Sequence, residues 1–148
     1  GMVVAVGASA RNGQIAKYSN RAGKARNNYL VAPGDRIVVS CGDLGCERAS
    51  GTSYATAYVA GAVALLLDAF PHLDGREALQ LLLNTARDGG RGGVDGVYGR
   101  GHVDIAHAFA AARATTESLL ATAEPQPGPQ PGPQPGAGLQ PPEAGPAS

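Results

Sequence analysis

Residues 51–61 read GTSYATAYVAG, and this stretch decides the fold of the 148-residue chain. It opens a run from Tyr54 to Leu67 that carries no charged side chain, and Pro71 follows shortly after. Such a run predicts a helix that begins near Thr52, ends near Phe70 and is buried nearly all round. The uncharged part is about 14 residues long, short of the roughly 20 that a membrane span needs. We therefore expect the central helix of a globular domain.

Short apolar segments before this helix predict strands. Met2 to Ala8 is a valine-rich run that fits a buried strand of a parallel sheet. Tyr29 to Ala32 predicts a second extended segment, the following Pro-Gly-Asp a turn, and Arg36 to Ser40 another strand. The polar stretch that ends at Asn28 is expected to be a loop or a surface hairpin.

Two amphipathic helices are predicted after the central helix. Asp74 and Glu77 have the spacing of a capping box. The helix that they start should face the core with Leu79, Leu82, Leu83 and Ala86, and should end at the glycines near residue 90. Asp104 should open a last helix that runs to about Ala123, with Ile105, Ala108, Phe109 and Ala112 inward. Strands followed by helices in this order predict an α/β layered fold with a mostly parallel sheet.

Ser53 lies where a glycine-bearing loop meets the start of the central helix. Backbone N–H groups at a helix start have no intrahelical acceptor, and the helix dipole adds partial positive charge there. These donors would stabilise an oxyanion formed beside Ser53, as acyl transfer requires. The residues alone leave a second interpretation open, because a serine before a helix most often serves as its N-cap.

A family resemblance favours the catalytic interpretation. Residues 51–61 resemble the nucleophile motif GTS-x-A-x-P-x-V-x-G of the subtilisin-like serine proteases, or subtilases (peptidase family S8). Val4 to Ala8, Tyr18-Ser19-Asn20 and Ala32-Pro33-Gly34 resemble blocks that precede the motif in that family, and the segment from Tyr98 to Asp104 resembles its closing segment. The chain is most similar to bacterial subtilases of the autotransporter type. The resemblance implies the C-terminal half of a three-layer subtilisin-like catalytic domain over residues 1–123.

The same resemblance implies that Ser53 is the nucleophile of a serine endopeptidase that acts on protein or peptide substrates. In the family the aspartate and the histidine of the triad precede the serine, and no histidine precedes Ser53 here. The side-chain oxyanion donor, an asparagine, is also expected upstream. This chain alone is therefore expected to be inactive, because a serine without its base is a weak nucleophile.

Two alternatives to an active protease remain open. The family almost always has proline where Ala57 stands, so the chain could be a catalytically inactive binding or maturation domain. Alternatively, Ser53, an aspartate such as Asp95 or Asp104, and His107 follow the triad order of an α/β-hydrolase esterase. That family's G-x-S-x-G elbow follows a strand directly, whereas here the polar loop of residues 41–46 comes before the serine, and Ala55 replaces the second glycine. His72, His102 and His107 are otherwise expected to be surface or packing residues.

Composition limits the classes of partner and ligand that the chain is expected to bind. Twelve basic and twelve acidic residues balance without a charged run, so neither nucleic acid nor an anionic membrane is predicted as a partner. A membrane would be reached only through a domain outside this chain, and oligomeric state is not predicted. No organic cofactor is implied, and no acidic cluster has the ligand spacing that would predict a calcium or other metal site.

Two features of the sequence concern export. Cys41 and Cys46 lie in one short loop, where a disulfide is plausible, and a disulfide would favour a secreted, periplasmic or cell-surface protein. The start of the chain lacks the pattern of a signal peptide and is expected to be an internal break.

Residues 124–148 are rich in Pro, Gln and Gly and are predicted to be a disordered tail or spacer.

Overall fold

The computed structural model describes residues 2–123. The strands are β1 (Ala5–Ser9), β2 (Tyr29–Pro33), β3 (Ile37–Gly42) and β4 (Gly45–Ala49). The helices are α1 (Thr52–Ala69), α2 (Gly75–Asn84) and α3 (Ile105–Thr122). A 3-10 helix at Gly23–Asn28 occupies the stretch where a loop or hairpin was expected. The predicted tail at residues 124–148 lies outside the described residues.

The parallel sheet forms around β1 and β2. The two strands pair in parallel from Ala5 opposite Tyr29 to Ser9 opposite Pro33. Beyond β2, the backbone at His102 bridges Val31 in parallel and Arg87 in antiparallel orientation. The predicted parallel sheet is thus confirmed, and its buried strand β2 presents Leu30, Val31 and Ala32 without exposed surface.

Helix α1 packs along this sheet with one face. Ala55, Val59, Ala62 and Leu66 are buried against β1, β2 and α2. The prediction that the helix is buried all round is wrong for the described residues, because Leu65 remains 54% exposed. By length and a mean hydropathy of 1.2 the helix could cross a membrane, but its contacts place it on the sheet as a core helix.

The two later helices begin as predicted. Asp74 and Glu77 form the complete capping box at the start of α2, with reciprocal hydrogen bonds of 2.8 Å each. Asp104 caps α3 by accepting from the His107 N–H at 2.9 Å. Helix α2 ends at Asn84, earlier than the glycines suggested, because Arg87 leaves the helix to exchange two backbone hydrogen bonds with His102. Core positions on these helices are Ala78, Leu82, Leu83, Ala108 and Ala112, while Leu79, Ala86, Ile105 and Phe109 are partly buried.

A second, antiparallel pair stands beside the parallel sheet. Strands β3 and β4 form a hairpin in which Cys41 lies opposite Cys46, and the two sulfurs are bonded. The sequence predicted the first of these strands and the disulfide but not the second strand. Gly45–Ala49 reads GCERA, which lacks the alternating apolar pattern of a half-buried strand, and most of it is exposed.

Candidate active site

Ser53 is the second residue of α1 and is exposed. Gly51 is the N-cap residue, and the helix start has no side-chain capping bond. The interpretation of Ser53 as a helix cap is therefore wrong, and its hydroxyl is not consumed by the helix end. The Tyr54 N–H donates to the Gly51 carbonyl at 3.2 Å. Within residues 2–123 the Ser53 N–H has no backbone acceptor, so it remains a donor for an oxyanion.

The turn that follows β2 fixes the position of the helix start. The Gly51 N–H donates to the Gly34 carbonyl at 2.8 Å. The same carbonyl accepts from the Tyr18 hydroxyl at 2.7 Å. Burial and the negative charge of Asp35 raise the pKa of Tyr18 above its ordinary value, which keeps this hydroxyl protonated as a donor. The loop before Ser53 is thus tied to the end of a buried strand.

Gly34 is required by space. A β-carbon added at this residue would lie 2.7 Å from the β-carbon of Ala8, 2.8 Å from the Gly51 carbonyl oxygen and 3.2 Å from the β-carbon of Ala55. Carbon atoms in ordinary contact are about 3.5–4.0 Å apart. Any side chain here would push the loop away from the sheet. Gly51 itself lies close to the nucleophile candidate, because its added β-carbon would be 3.2 Å from Ser53 Oγ.

A second set of contacts holds the loop from its other side. The Ser50 hydroxyl donates to the Asp35 carboxylate at 2.8 Å and accepts from the Arg36 N–H at 2.9 Å. The sequence did not predict these contacts or the need for Gly34. In the sequence, only the Ala32-Pro33-Gly34 block indicated this region. It predicted a turn but not the residues that the turn contacts.

The structure does not bring the histidines to Ser53. Among the hydrogen bonds of residues 2–123, none joins a histidine ring to this serine. The His107 ring contacts the Thr85 carbonyl through Nδ1 at 3.1 Å, and the His72 ring contacts the Thr116 hydroxyl at 3.4 Å. His102 packs against Tyr98 with ring centroids 5.5 Å apart. All three thus have packing or surface roles, as predicted.

The two aspartates of the esterase alternative are also engaged elsewhere. Asp95 accepts from the backbone N–H groups of Tyr98 and Val97 at 2.7 Å each and from that of Arg91 at 3.0 Å. The hydrogen bond from Tyr98, together with the other two, lowers the pKa of Asp95 below its ordinary value. Asp104 is the cap of α3. A Ser53, aspartate and His107 triad is therefore not assembled in this structure.

No metal centre is indicated by the part of the chain that the structure describes. Residues 2–123 contain no group of three or more His, Cys, Asp or Glu side chains placed to hold an ion. The chemistry that the site can perform rests on a serine hydroxyl, a helix start and backbone donors.

The chain belongs to the subtilase family, whose model matches residues 1–101. The α/β fold is correspondingly subtilisin-like. Among solved structures, the self-cleaved protease domain of PatA is 30% identical with a TM-score of 0.64, and the match covers 76% of this chain and 42% of that one.

Comparison with protein sequences also finds relatives of this chain. Serotype-specific antigen 1 of Mannheimia haemolytica is 33% identical in an alignment of 99 residues that covers 62% of this chain and 11% of that protein. Mycosin-1 of Mycolicibacterium smegmatis is 33% identical in an alignment of 110 residues that covers 70% of this chain and 24% of that protein. The chain thus spans a quarter or less of the length of these relatives.

Proposed function

We propose that Ser53 is the nucleophile of a serine endopeptidase, and that the complete active site includes groups outside these 148 residues. The observation that carries the proposal is the position of Ser53: an exposed hydroxyl at the start of α1, with a free backbone N–H, on a loop fixed by Gly34. This is the geometry that acyl transfer needs, because attacking group and oxyanion donor come from one residue.

The mechanism follows from family membership and from this position. The Ser53 hydroxyl attacks the carbonyl carbon of a peptide bond while a histidine, supplied from outside this chain, takes its proton. The tetrahedral oxyanion is held by the Ser53 N–H and by an asparagine that the family supplies upstream. The same histidine protonates the leaving amine, and water then hydrolyses the acyl-enzyme.

The sequence departs from the family pattern at Ala57, where the family has proline, and the helix accommodates this change. Ala57 is the sixth residue of α1, so its N–H is placed to donate to the Ser53 carbonyl. Proline at this position would remove that hydrogen bond. Alanine completes the helix and removes no reacting group, so the departure from the family pattern is no argument for an inactive binding domain.

We further propose that the protein is exported. The Cys41–Cys46 disulfide spans an exposed hairpin. Disulfides persist in secreted, periplasmic and cell-surface proteins and are rare in the reducing cytosol.

Casein cleavage by the full-length protein tests the nucleophile. The comparison is between the wild type, Ser53→Ala and the control Thr56→Ala, whose hydroxyl lies one turn along α1 and bonds to the Thr52 carbonyl at 2.9 Å. Loss of the triad serine lowers kcat by about 10⁶-fold in a well-studied serine protease that uses this mechanism. We expect Ser53→Ala to lose detectable cleavage and Thr56→Ala to retain it. Equal cleavage by Ser53→Ala and wild type would overturn the proposal.

The chain alone provides a second test. Residues 1–148 are expected to leave casein intact, because no histidine base reaches Ser53. Casein cleavage by this chain that disappears in Ser53→Ala would show that the base lies inside it, contrary to the proposal.

A further inference from the structure

A cavity of about 800 Å³ opens beside the carboxyl ends of β1 and β2. Four arginines from separate parts of the chain line it: Arg11 after β1, Arg36 after β2, Arg48 in β4 and Arg87 after α2. Asp35 is the one carboxylate among its lining residues. Four arginine residues from separate segments therefore border one space.

This concentration of charge is not a property of the chain as a whole. The chain carries twelve basic and twelve acidic residues and has no net charge. Asp35 therefore supplies one negative charge against the positive charges of four arginines. His102 also lines the cavity, and burial together with the Arg87 charge lowers its pKa, so it is neutral at pH 7. The cavity thus presents net positive charge to whatever enters it.

One of the arginines is held in an unfavourable backbone conformation. Arg36 has a φ of 55° and is the only residue other than glycine with positive φ in residues 2–123. Such a conformation costs about 1–3 kcal/mol and persists only where its surroundings impose it. Here the Arg36 N–H bonds to Ser50, and its carbonyl accepts from Arg48 Nη1 at 3.3 Å. These contacts fix Arg36 and Arg48 on the same wall.

Two residues near the proposed nucleophile in the chain connect it to the cavity. Ser50, which bonds to the Arg36 N–H, is three residues before Ser53. Tyr58, which lines the cavity from α1, is five residues after Ser53, about 7.5 Å along the helix axis.

We propose that this cavity binds an acidic segment of the polypeptide substrate, with Asp or Glu side chains of the substrate paired to its arginines. The inference rests on the proposed protease function and adds the substrate class. Guanidinium groups pair with carboxylates in a bidentate geometry, and four of them in one cavity favour a segment with several carboxylates.

Binding can be measured apart from cleavage. Full-length Ser53→Ala protein is titrated into a fluorescein-labelled octapeptide with four glutamates, and into its counterpart with four glutamines, and anisotropy is recorded. We expect the glutamate peptide to bind at least tenfold more tightly in low salt, with the difference reduced at 0.5 M NaCl. Equal affinity for the two peptides would overturn the inference and leave the nucleophile proposal standing.

Variants assign the effect to the cavity. Arg11→Gln and Arg48→Gln should each weaken glutamate-peptide binding by about tenfold, and Arg48→Glu should abolish the preference. Arg76→Gln and Arg113→Gln are matched controls, because both arginines are exposed on helices away from the cavity. Melting temperatures within about 2 °C of the parent exclude misfolding as the cause. Equal weakening in the controls, or inorganic phosphate that competes as well as the glutamate peptide at equal concentration, would overturn the assignment.

Cleavage gives the second readout. In the active wild-type protein, kcat/KM for a glutamate-containing peptide should exceed that for the glutamine peptide, and Arg48→Gln should remove the difference chiefly through KM. Cleavage of both peptides at equal rates by the wild type would refute the acidic preference alone. Binding that persists while wild type and Ser53→Ala cleave equally would refute the nucleophile alone.

Discussion

Gly34→Ala is the substitution whose effect the geometry specifies most fully. The added methyl group would lie 2.7 Å from the β-carbon of Ala8 and 2.8 Å from the Gly51 carbonyl oxygen. Ala8 has no exposed surface, and the second neighbour is backbone, so neither can rotate away. Relief requires the turn at Gly34 to move away from Ala8, and the loop that carries Gly51 to move with it, by about 0.7–1 Å to restore ordinary contact distances.

Two magnitudes follow from this displacement. Overpacking of a close-packed site costs typically 1–3 kcal/mol, so we expect the free energy of unfolding to fall by about 2 kcal/mol. A shift of about 1 Å in a catalytic group costs up to about 100-fold in rate. We therefore expect kcat of the full-length protein to fall by about 10- to 100-fold.

The assay is peptide hydrolysis by the full-length protein, with thermal unfolding measured alongside. Gly75→Ala is the matched control, because an added β-carbon at this exposed first residue of α2 meets no atom within 4 Å. It should leave kcat within error of the wild type and the melting temperature unchanged or slightly raised, because alanine stabilises a helix relative to glycine by up to about 1 kcal/mol. Gly34→Ala with wild-type kcat and an unchanged melting temperature would refute the conclusion that this turn positions Ser53.

Three further predictions concern stability. Asp74→Ala removes the reciprocal cap of α2 and should lower the free energy of unfolding by about 1 kcal/mol in denaturant titrations. Cys41→Ser with Cys46→Ser should cost about 2 kcal/mol or less, read as faster hydrogen exchange in β3 and β4. Because burial lowers the pKa of His102 in the folded state, the unfolded state binds more protons as the pH falls from about 6.5. Stability should therefore fall on acidification through this range, and His102→Gln should flatten that part of the melting-temperature profile.

Local signals in the sequence were sufficient for much of the fold. Asp74 and Asp104 each begin a helix where a capping residue was expected. The end of α2 was missed because the pairing of Arg87 with His102 is a contact between residues distant in sequence. Strand β4 was missed because its residues face solvent and carry no apolar alternation.

The candidate site divides in the same way. Ser53 was predicted to be the nucleophile from a contiguous motif, which one stretch of sequence contains in full. Neither the contact between Gly34 and Gly51 nor the cavity was predicted, because each is formed by residues from separate segments of the chain. The cavity's arginines, for example Arg11 and Arg87, come together only when the sheet forms. The uniform apolar character of α1 predicted burial on every side, whereas the described sheet covers one face.

Covalent labelling of Ser53 tests the central claim most directly. The full-length protein is treated with a fluorophosphonate, which reacts with serines that an adjacent base activates, and the modified peptide is located by mass spectrometry. The proposed mechanism predicts one adduct, on Ser53, formed in step with loss of casein cleavage and absent from Ser53→Ala. Loss of cleavage accompanied by an adduct on another residue, with Ser53 unmodified, would contradict it.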